Sequence, residues 1–276
     1  MNALRDPSIT VGVVGTGNMG GALVQGWLRS PLPGLRLIVW DKAEAAARRL
    51  LTSDIVSLAG SSEDLVRRSH VVFVVVKPKD AQGVLSLLAG ALGTGQIVVS
   101  AMAGPTLEWM RGLLGPDPAL LRVMPNLGVS LGVGAIAITA DSSTDADTIG
   151  TVTRLLQPLG MVEAVPEDAL DAVTAVSGSG PAFLALVLEG LEDGAVAAGL
   201  PRTTARALVR QAALATARLL PRYGDSPAEL RAHLAAAGGF DQTGLEVLDT
   251  REVRAAFRRA VGAAVERSRG LRATVH

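Results

Sequence analysis

Short runs of β-branched and other apolar residues alternate with helix-like stretches through the first half of the chain. Buried strands are predicted at 9–14, 35–40, 71–76 and 97–100, and helices at 19–29, 43–51 and 81–88. Strands that alternate with helices form parallel βαβ units. The pattern therefore predicts an α/β fold with a doubly wound sheet, extended by further strands at 121–123, 134–138 and 162–165.

The pattern changes after about Pro166, where alanine and leucine dominate at helical spacing and β-branched runs end. Helices are predicted at 181–198, 203–220, 227–236 and 251–268. We therefore predict two domains, 1–165 and 166–276, the second of them all-α. The first of these helices carries small residues that permit close helix–helix approach, in an intertwined dimer or inside a monomer: Ala182, Ala185, Gly190, Gly194 and Ala198.

Composition narrows the class of protein. The formal net charge is +0, so no nucleic-acid or anionic-membrane partner is expected. The chain has no cysteine and only three scattered histidines, so neither a disulfide nor a metal site is expected. The first eight residues lack the apolar stretch of a signal peptide, and 71–76 is too short to span a bilayer. A soluble, cytoplasmic protein is expected.

Lysine is confined to the first third of the chain, at Lys42, Lys77 and Lys79. A mechanism that needs a lysine acid, base or Schiff base in the second half is therefore excluded. This argues against a β-hydroxyacid dehydrogenase, which shares this domain plan and uses a lysine in its helical half.

A glycine-rich turn follows the first predicted strand and opens the first predicted helix. Its residues are Gly15, Thr16, Gly17, Asn18, Met19 and Gly20. The first glycine makes a tight turn, the second admits a pyrophosphate, and the third allows close packing of helix on strand. In this strand–turn–helix context the motif predicts a dinucleotide site of the Rossmann type, with the phosphates at the helix N-terminus.

Asp41 directly follows the second predicted strand, 21 residues after Gly20. A carboxylate here can accept hydrogen bonds from the adenosine ribose and repels a 2′-phosphate, which favours NADH over NADPH. Lys42 partly offsets that repulsion. The alternative is that Asp41 only caps the next helix.

Several segments in order along the chain resemble pyrroline-5-carboxylate reductases. Besides the glycine turn they are 76–78 (Val-Lys-Pro), 101–104 (Ala-Met-Ala-Gly), 124–126 (Met-Pro-Asn), 171–182 and 199–202. The stretch 171–182, DAVTAVSGSGPA, is close to the family's signature. The resemblance runs from about Val11 to Leu271, almost the whole chain.

The resemblance implies a Rossmann domain, a helical C-terminal dimerisation domain, and reduction of pyrroline-5-carboxylate to proline with NADH or NADPH. It implies homodimers, in some relatives assembled into rings. By analogy, the nicotinamide end of the cofactor is lined by Lys77, Pro78, Ala103, Gly104 and Asn126, and Val76 is a further cofactor-binding residue.

A substrate carboxylate needs N–H donors, and two glycine-rich turns offer them. One contains Val176, Ser177 and Gly178; the other contains Gly238 and Gly239. For the first turn the alternative is a plain helix start, with Ser179 as the cap and Pro181 in the first turn.

The second turn departs from the family, whose members carry a Ser-Pro-Gly-Gly-Thr-Thr type of stretch. Here residues 235–243 are AAAGGFDQT, so Phe240 and Asp241 replace the two threonines. Asp241 is a candidate catalytic residue at the threonine position. Three explanations are open for Asp241: it caps the next helix, it pairs with the substrate nitrogen, or the substrate is a different imine. A non-catalytic dinucleotide-binding relative is the remaining alternative.

Overall fold

The computed structural model describes residues 8–223, 226–234 and 240–273. The strands are β1 to β8, in order Ile9–Val14, Leu35–Trp40, Val56–Leu58, Val71–Val74, Ile97–Ser100, Ala119–Pro125, Gly134–Ala140 and Gly160–Ala164. In the same region the helices are α1 to α7, in order Asn18–Arg29, Glu44–Arg48, Ser62–Arg67, Ala81–Ala89, Leu107–Leu114, Ala146–Leu156 and Leu170–Val173. The α/β prediction is confirmed.

Within the described residues the strands form one sheet in the order β3-β2-β1-β4-β5-β6-β7-β8. The first six strands are parallel, and β7 runs antiparallel to β6. Only residues 126–133 join β6 to β7, too few for the crossover that a parallel pair requires. The sheet is therefore mixed at this end, and β8 again pairs parallel to β7.

Helices cover both faces of the sheet because side chains alternate along each strand. On β4, Val71 and Phe73 pack into one core, and Val72 and Val74 pack into the other. In the first core Trp27 is fully buried; its indole donates a 2.7 Å hydrogen bond to the Leu155 carbonyl, and its ring meets Phe73 edge-on at 5.2 Å. Two apolar cores, one on each face, thus fix the sheet and the position of its carboxyl edge.

The second half is helical, as predicted. Its helices α8 to α12 are Gly180–Ala197, Arg202–Leu219, Pro227–Leu234, Phe240–Thr250 and Val253–Ala273. The predicted helices match four of these to within a few residues at most ends, and α11 was not predicted. The contacts within the chain divide it into two compact units. The first unit combines the residues up to Gly178 with those from Ala264 onward, and the second unit is Ser179–Ala263. The predicted boundary after residue 165 stays a prediction.

The C-terminal end of α12 belongs to the first unit. There the buried Ser268 hydroxyl donates a 2.7 Å hydrogen bond to Asp171 on α7. A buried polar contact of this kind fixes the last helix on the sheet domain, because separating the two groups would leave both desolvated.

One helical stretch, Glu167–Ala197, is long and apolar enough to cross a membrane by length and composition alone. It includes a π-helical turn, Thr174–Gly178. Helices of soluble proteins meet the same criterion, so this feature assigns no membrane.

Candidate active site

The glycine turn lies at the carboxyl edge of the sheet, directly after β1. Gly15 has φ +93°, a left-handed conformation that favours glycine. A Cβ on Gly20 would collide with the Gly15 carbonyl, whereas a Cβ on Gly17 would meet nothing within 4 Å. Gly15 and Gly20 therefore shape the turn, and Gly17 leaves open space above it for a ligand.

Helix α1 starts at this turn without a side-chain cap. Gly17 occupies the N-cap position, and no side chain bonds to the first-turn N–H groups. The first turn contains no acidic residue. Uncapped N–H groups at the positive end of a helix bind phosphate well, so the turn fits a dinucleotide pyrophosphate.

Asp41 holds the turn in shape. Its Oδ2 accepts a 2.7 Å hydrogen bond from the backbone N–H of Thr16 and a 3.3 Å bond from the Thr16 hydroxyl. Its Oδ1 accepts a 2.8 Å bond from the N–H of Ala43. The simple capping role is wrong, because α2 begins at Glu44 and Ala43 occupies its N-cap position. The carboxylate instead joins β2 to the glycine turn.

A cavity of about 540 Å³ opens beside the turn. It is lined by six of the predicted cofactor residues, namely Gly15, Gly17, Asp41, Lys42, Val76 and Lys77. Lys79 and Asp80 also line it, so every lysine of the chain faces one cavity. Lys42 Nζ lies 3.0 Å from Asp80 Oδ1. The bond from Lys42, with the charges of Lys42, Lys79 and Lys77, lowers the pKa of Asp80.

Sequence reasoning missed seven lining residues, namely Trp40, Val75, Lys79, Asp80, Gly83, Val84 and Leu87. The sequence held a signal for some of them, because Trp40 ends β2 and Val75, Lys79 and Asp80 follow β4. Ligands of open α/β sheets bind outside the carboxyl ends of the strands, so residues after each strand are candidates.

The remaining predicted cofactor residues lie elsewhere on the same edge. Thr16, Asn18, Met19 and Gly20 belong to the turn and the start of α1. Pro78 starts a short 3-10 turn, Pro78–Asp80, and Ala103 and Gly104 follow β5. None of these, nor Asn126, lines the 540 Å³ cavity.

Asn126 follows β6 and connects three segments. Its Oδ1 accepts bonds from the N–H groups of Gly128 (3.1 Å) and Ala135 (3.3 Å). Its Nδ2 donates a 3.1 Å bond to the carbonyl of Ser177. The amide therefore fixes the signature stretch 171–182 against the carboxyl edge of the sheet.

Ser177 lies in the π-helical turn Thr174–Gly178. Its hydroxyl oxygen is buried and has no hydrogen-bond partner among the described residues, whereas Val176 beside it is 60% exposed. π-Turns inside helices are frequent at functional sites, and an orphaned buried hydroxyl is costly unless something binds it. Ser179 precedes α8, but its side chain makes no capping bond.

The second predicted substrate turn lies mostly outside the described residues, including Gly238 and Gly239. Asp241 is described: it is exposed and lies in the first turn of α11, one residue after the helix begins. A carboxylate there stabilises the helix through the dipole but does not occupy the N-cap. In the described part of the chain no group of three or more His, Cys, Asp or Glu residues could hold a metal ion.

These features define a nicotinamide-dinucleotide-dependent oxidoreductase with a Rossmann domain and a helical domain. Residues 10–104 match the family model described as NADP oxidoreductase, coenzyme F420-dependent. Residues 167–271 match the model for pyrroline-5-carboxylate reductase dimerisation.

Similar proteins cover almost the whole chain. The pyrroline-5-carboxylate reductase of Synechocystis is 34% identical over 265 residues, 96% of this chain and 98% of its own. That of Glycine max is also 34% identical, over 96% of each chain. The chain belongs to the pyrroline-5-carboxylate reductase family, as the sequence motifs indicated.

Solved structures agree. A pyrroline-5-carboxylate reductase from Coxiella burnetii superposes with a TM-score of 0.88 at 28% identity, over 96% of this chain and 99% of its own. The Plasmodium falciparum pyrroline carboxylate reductase, solved with NADP bound, superposes with a TM-score of 0.85 at 24% identity. This superposition covers 96% of this chain and 99% of that enzyme's chain. The second likeness supports the fold alone.

Proposed function

We propose that this protein reduces 1-pyrroline-5-carboxylate to L-proline with NADH or NADPH, the last step of proline synthesis. Family membership over nearly the full chain supports the reaction. The observation in the structure that carries the proposal is the Ser177 hydroxyl, buried and without a described partner beside Asn126.

The residues fit the cofactor that the reaction needs. The open N-terminus of α1 and the space above Gly17 would hold the pyrophosphate, and Asp41 would face the adenosine ribose. Val76, Lys77, Pro78, Ala103, Gly104 and Asn126 would surround the nicotinamide end. When bound, the cofactor supplies the hydride, and the protein supplies orientation and electrostatics.

The substrate requires few groups of the protein for its reduction. A cyclic imine protonates readily, so the reaction requires no strong dedicated acid. Its carboxylate requires N–H or O–H donors, which the Ser177 hydroxyl and the turn Val176–Gly178 would provide. The family resemblance also assigns the N–H groups of Gly238 and Gly239 to this role.

We further propose a preference for NADH, since the Asp41 carboxylate would repel a 2′-phosphate. We propose a cytoplasmic location and a homodimer, which other copies extend into a ring. The dimer is supported by the dimerisation match and by α8, on which no residue is buried in the single chain.

The test is oxidation of NADH and NADPH, followed at 340 nm (the absorbance band of the reduced cofactors), with purified protein and pyrroline-5-carboxylate. Turnover with either cofactor is the expected result, and the ratio of kcat/KM values gives the preference. Cofactor binding without turnover would contradict the proposal and favour a non-catalytic relative.

A second candidate, reduction of a different cyclic imine, is favoured by the altered stretch 235–243. Asp241→Thr restores the family's residue. If Asp241 faces the substrate, this change lowers the KM for pyrroline-5-carboxylate, because it removes a negative charge on the protein that would repel the substrate carboxylate. An unchanged KM would mean that Asp241 acts only on its helix.

A further inference from the structure

The distribution of lysine in this protein is unusual. Of 26 basic residues only three are lysine, and all three line the cavity beside the glycine turn. Two carboxylates, Asp41 and Asp80, line the same cavity. At the adenosine end of the proposed site, the balance between Lys42 and these two carboxylates decides which adenosine group is accepted.

Lys42 is the cation best placed to meet a 2′-phosphate. It directly follows Asp41 at the carboxyl end of β2, where Rossmann domains hold the adenosine ribose. Asp41 has both oxygens engaged by N–H groups of the chain and is therefore fixed. The Lys42 side chain is 72% exposed and can move.

Asp80 holds that cation. It lies at the end of the turn Pro78–Asp80, just before α4, and its Oδ1 is 3.0 Å from Lys42 Nζ. The pair joins the segments that follow β2 and β4 across the cavity. While the pair is intact, Lys42 is neutralised, and a 2′-phosphate would meet two carboxylates at this end.

We propose that Asp80 is a specificity-determining residue, which disfavours cofactors with a 2′-phosphate by pairing with Lys42. This inference rests on the proposed cofactor site. It adds Asp80 to Asp41, the acidic residue after β2, as a second determinant of cofactor preference. The preference of this chain is then set by two carboxylates, Asp41 after β2 and Asp80 after β4, with the movable charge of Lys42 between them.

The experiment measures dissociation constants of the full-length protein by isothermal titration calorimetry for NADH, NADPH, 5′-ADP and 2′,5′-ADP. Asp80→Asn is expected to lower the dissociation constants of NADPH and 2′,5′-ADP by about three- to tenfold, because the substitution frees Lys42 and removes a negative charge. NADH and 5′-ADP are expected to change by less than about twofold. The gain should shrink as salt is raised, since exposed charges are screened.

Two further variants make the result specific. Asp80→Asn combined with Lys42→Gln should lose the gain, because the cation that meets the 2′-phosphate is gone. Asp249→Asn breaks another exposed ion pair, with Arg254 at 2.7 Å outside the cavity, and should leave every constant unchanged.

An NADPH-to-NADH affinity ratio that stays the same in Asp80→Asn overturns the proposal, as does a gain that persists in the double variant. Wild-type protein that binds neither cofactor would instead overturn the proposed function on which this inference rests. The two failures are therefore distinct.

Discussion

At the scale of single residues, Asp41 has a structural role in the glycine turn and is also a proposed cofactor contact. Its carboxylate joins the glycine turn to β2 through the N–H of Thr16 and to the start of α2 through the N–H of Ala43. One side chain thus fixes the shape of the glycine turn, where we propose that the cofactor phosphates bind.

We therefore expect Asp41→Ala to weaken NADH binding by about tenfold or more and to lower the free energy of unfolding by about 1–3 kcal/mol. Hydrogen bonds to a charged group have this magnitude. Titration calorimetry and urea denaturation measure the two effects. Asp54→Ala, at an exposed carboxylate of the same domain, serves as the control. Normal NADH binding by Asp41→Ala would contradict this role.

Ser177 gives a sharper test, because its hydroxyl is buried without a described partner. If it binds the substrate, Ser177→Ala raises the KM for pyrroline-5-carboxylate by about five- to tenfold. Its free energy of unfolding should not fall, because no hydrogen bond among the described residues is lost and a buried hydroxyl without a partner is itself unfavourable.

The matched control is Ser69→Ala. Ser69 is also buried, but its hydroxyl donates a 2.6 Å bond to the Leu65 carbonyl. This variant should lose stability and keep its KM. If Ser177→Ala behaves in the same way, the hydroxyl of Ser177 has a structural role only.

At the scale of elements, a partly buried ion pair fixes the segment just before the signature stretch 171–182 to the sheet. Arg122 on β6, with 4% of its side chain exposed, lies 2.6 Å from Glu167, which is 28% exposed. Glu167 also accepts a 2.7 Å bond from the N–H of Leu107, the first residue of α5. The carboxylate thus joins a strand, a helix and the segment that leads to Ser177.

Glu167→Ala is therefore expected to lower the free energy of unfolding by about 1–3 kcal/mol, because it removes the hydrogen bonds that the carboxylate accepts from Arg122 and from the N–H of Leu107. Urea denaturation measures this. Glu167→Gln, which can still accept the Leu107 bond, should lose less. Asp168→Ala, at the exposed neighbouring position, should change stability little. Equal losses in Asp168→Ala and Glu167→Ala would rule out the role of the pair.

At the scale of the whole molecule, α8 offers an exposed apolar face for the proposed homodimer. Its 18 residues include no buried one, and Leu184, Leu186 and Leu191 are 64%, 67% and 53% exposed. Within the described residues, a Cβ added at Gly190 or Gly194 would meet nothing within 4 Å. The small-residue face is therefore not filled by the single chain, and an apolar helix left in water favours association.

We expect Leu186→Glu to shift the protein from dimer towards monomer, since a carboxylate on this face would be desolvated in the interface. Light scattering coupled to size-exclusion chromatography measures the molar mass. Leu131→Glu, at a leucine that is 60% exposed outside α8, should leave the mass unchanged. A Leu186→Glu protein that keeps the wild-type mass would place the interface elsewhere.

Much of this architecture follows from local sequence. The buried strands and the glycine turn could be predicted because side-chain alternation, β-branching and glycine conformation act over a few residues. The helices of the second half were predicted for the same reason. The three-residue strand β3 was missed, since it is too short to show a period, and the helices α3, α5, α6, α7 and α11 were not predicted.

The sequence alone determined the family, the α/β sheet, the helical second half and the position of the cofactor turn. Tertiary structure alone decided that Asp41 bonds to Thr16, that Lys42 pairs with Asp80, and that the Ser177 hydroxyl is buried beside Asn126. These contacts join residues 25 to 51 positions apart, or depend on burial. No local pattern encodes them, because the order of strands in the sheet brings their partners together.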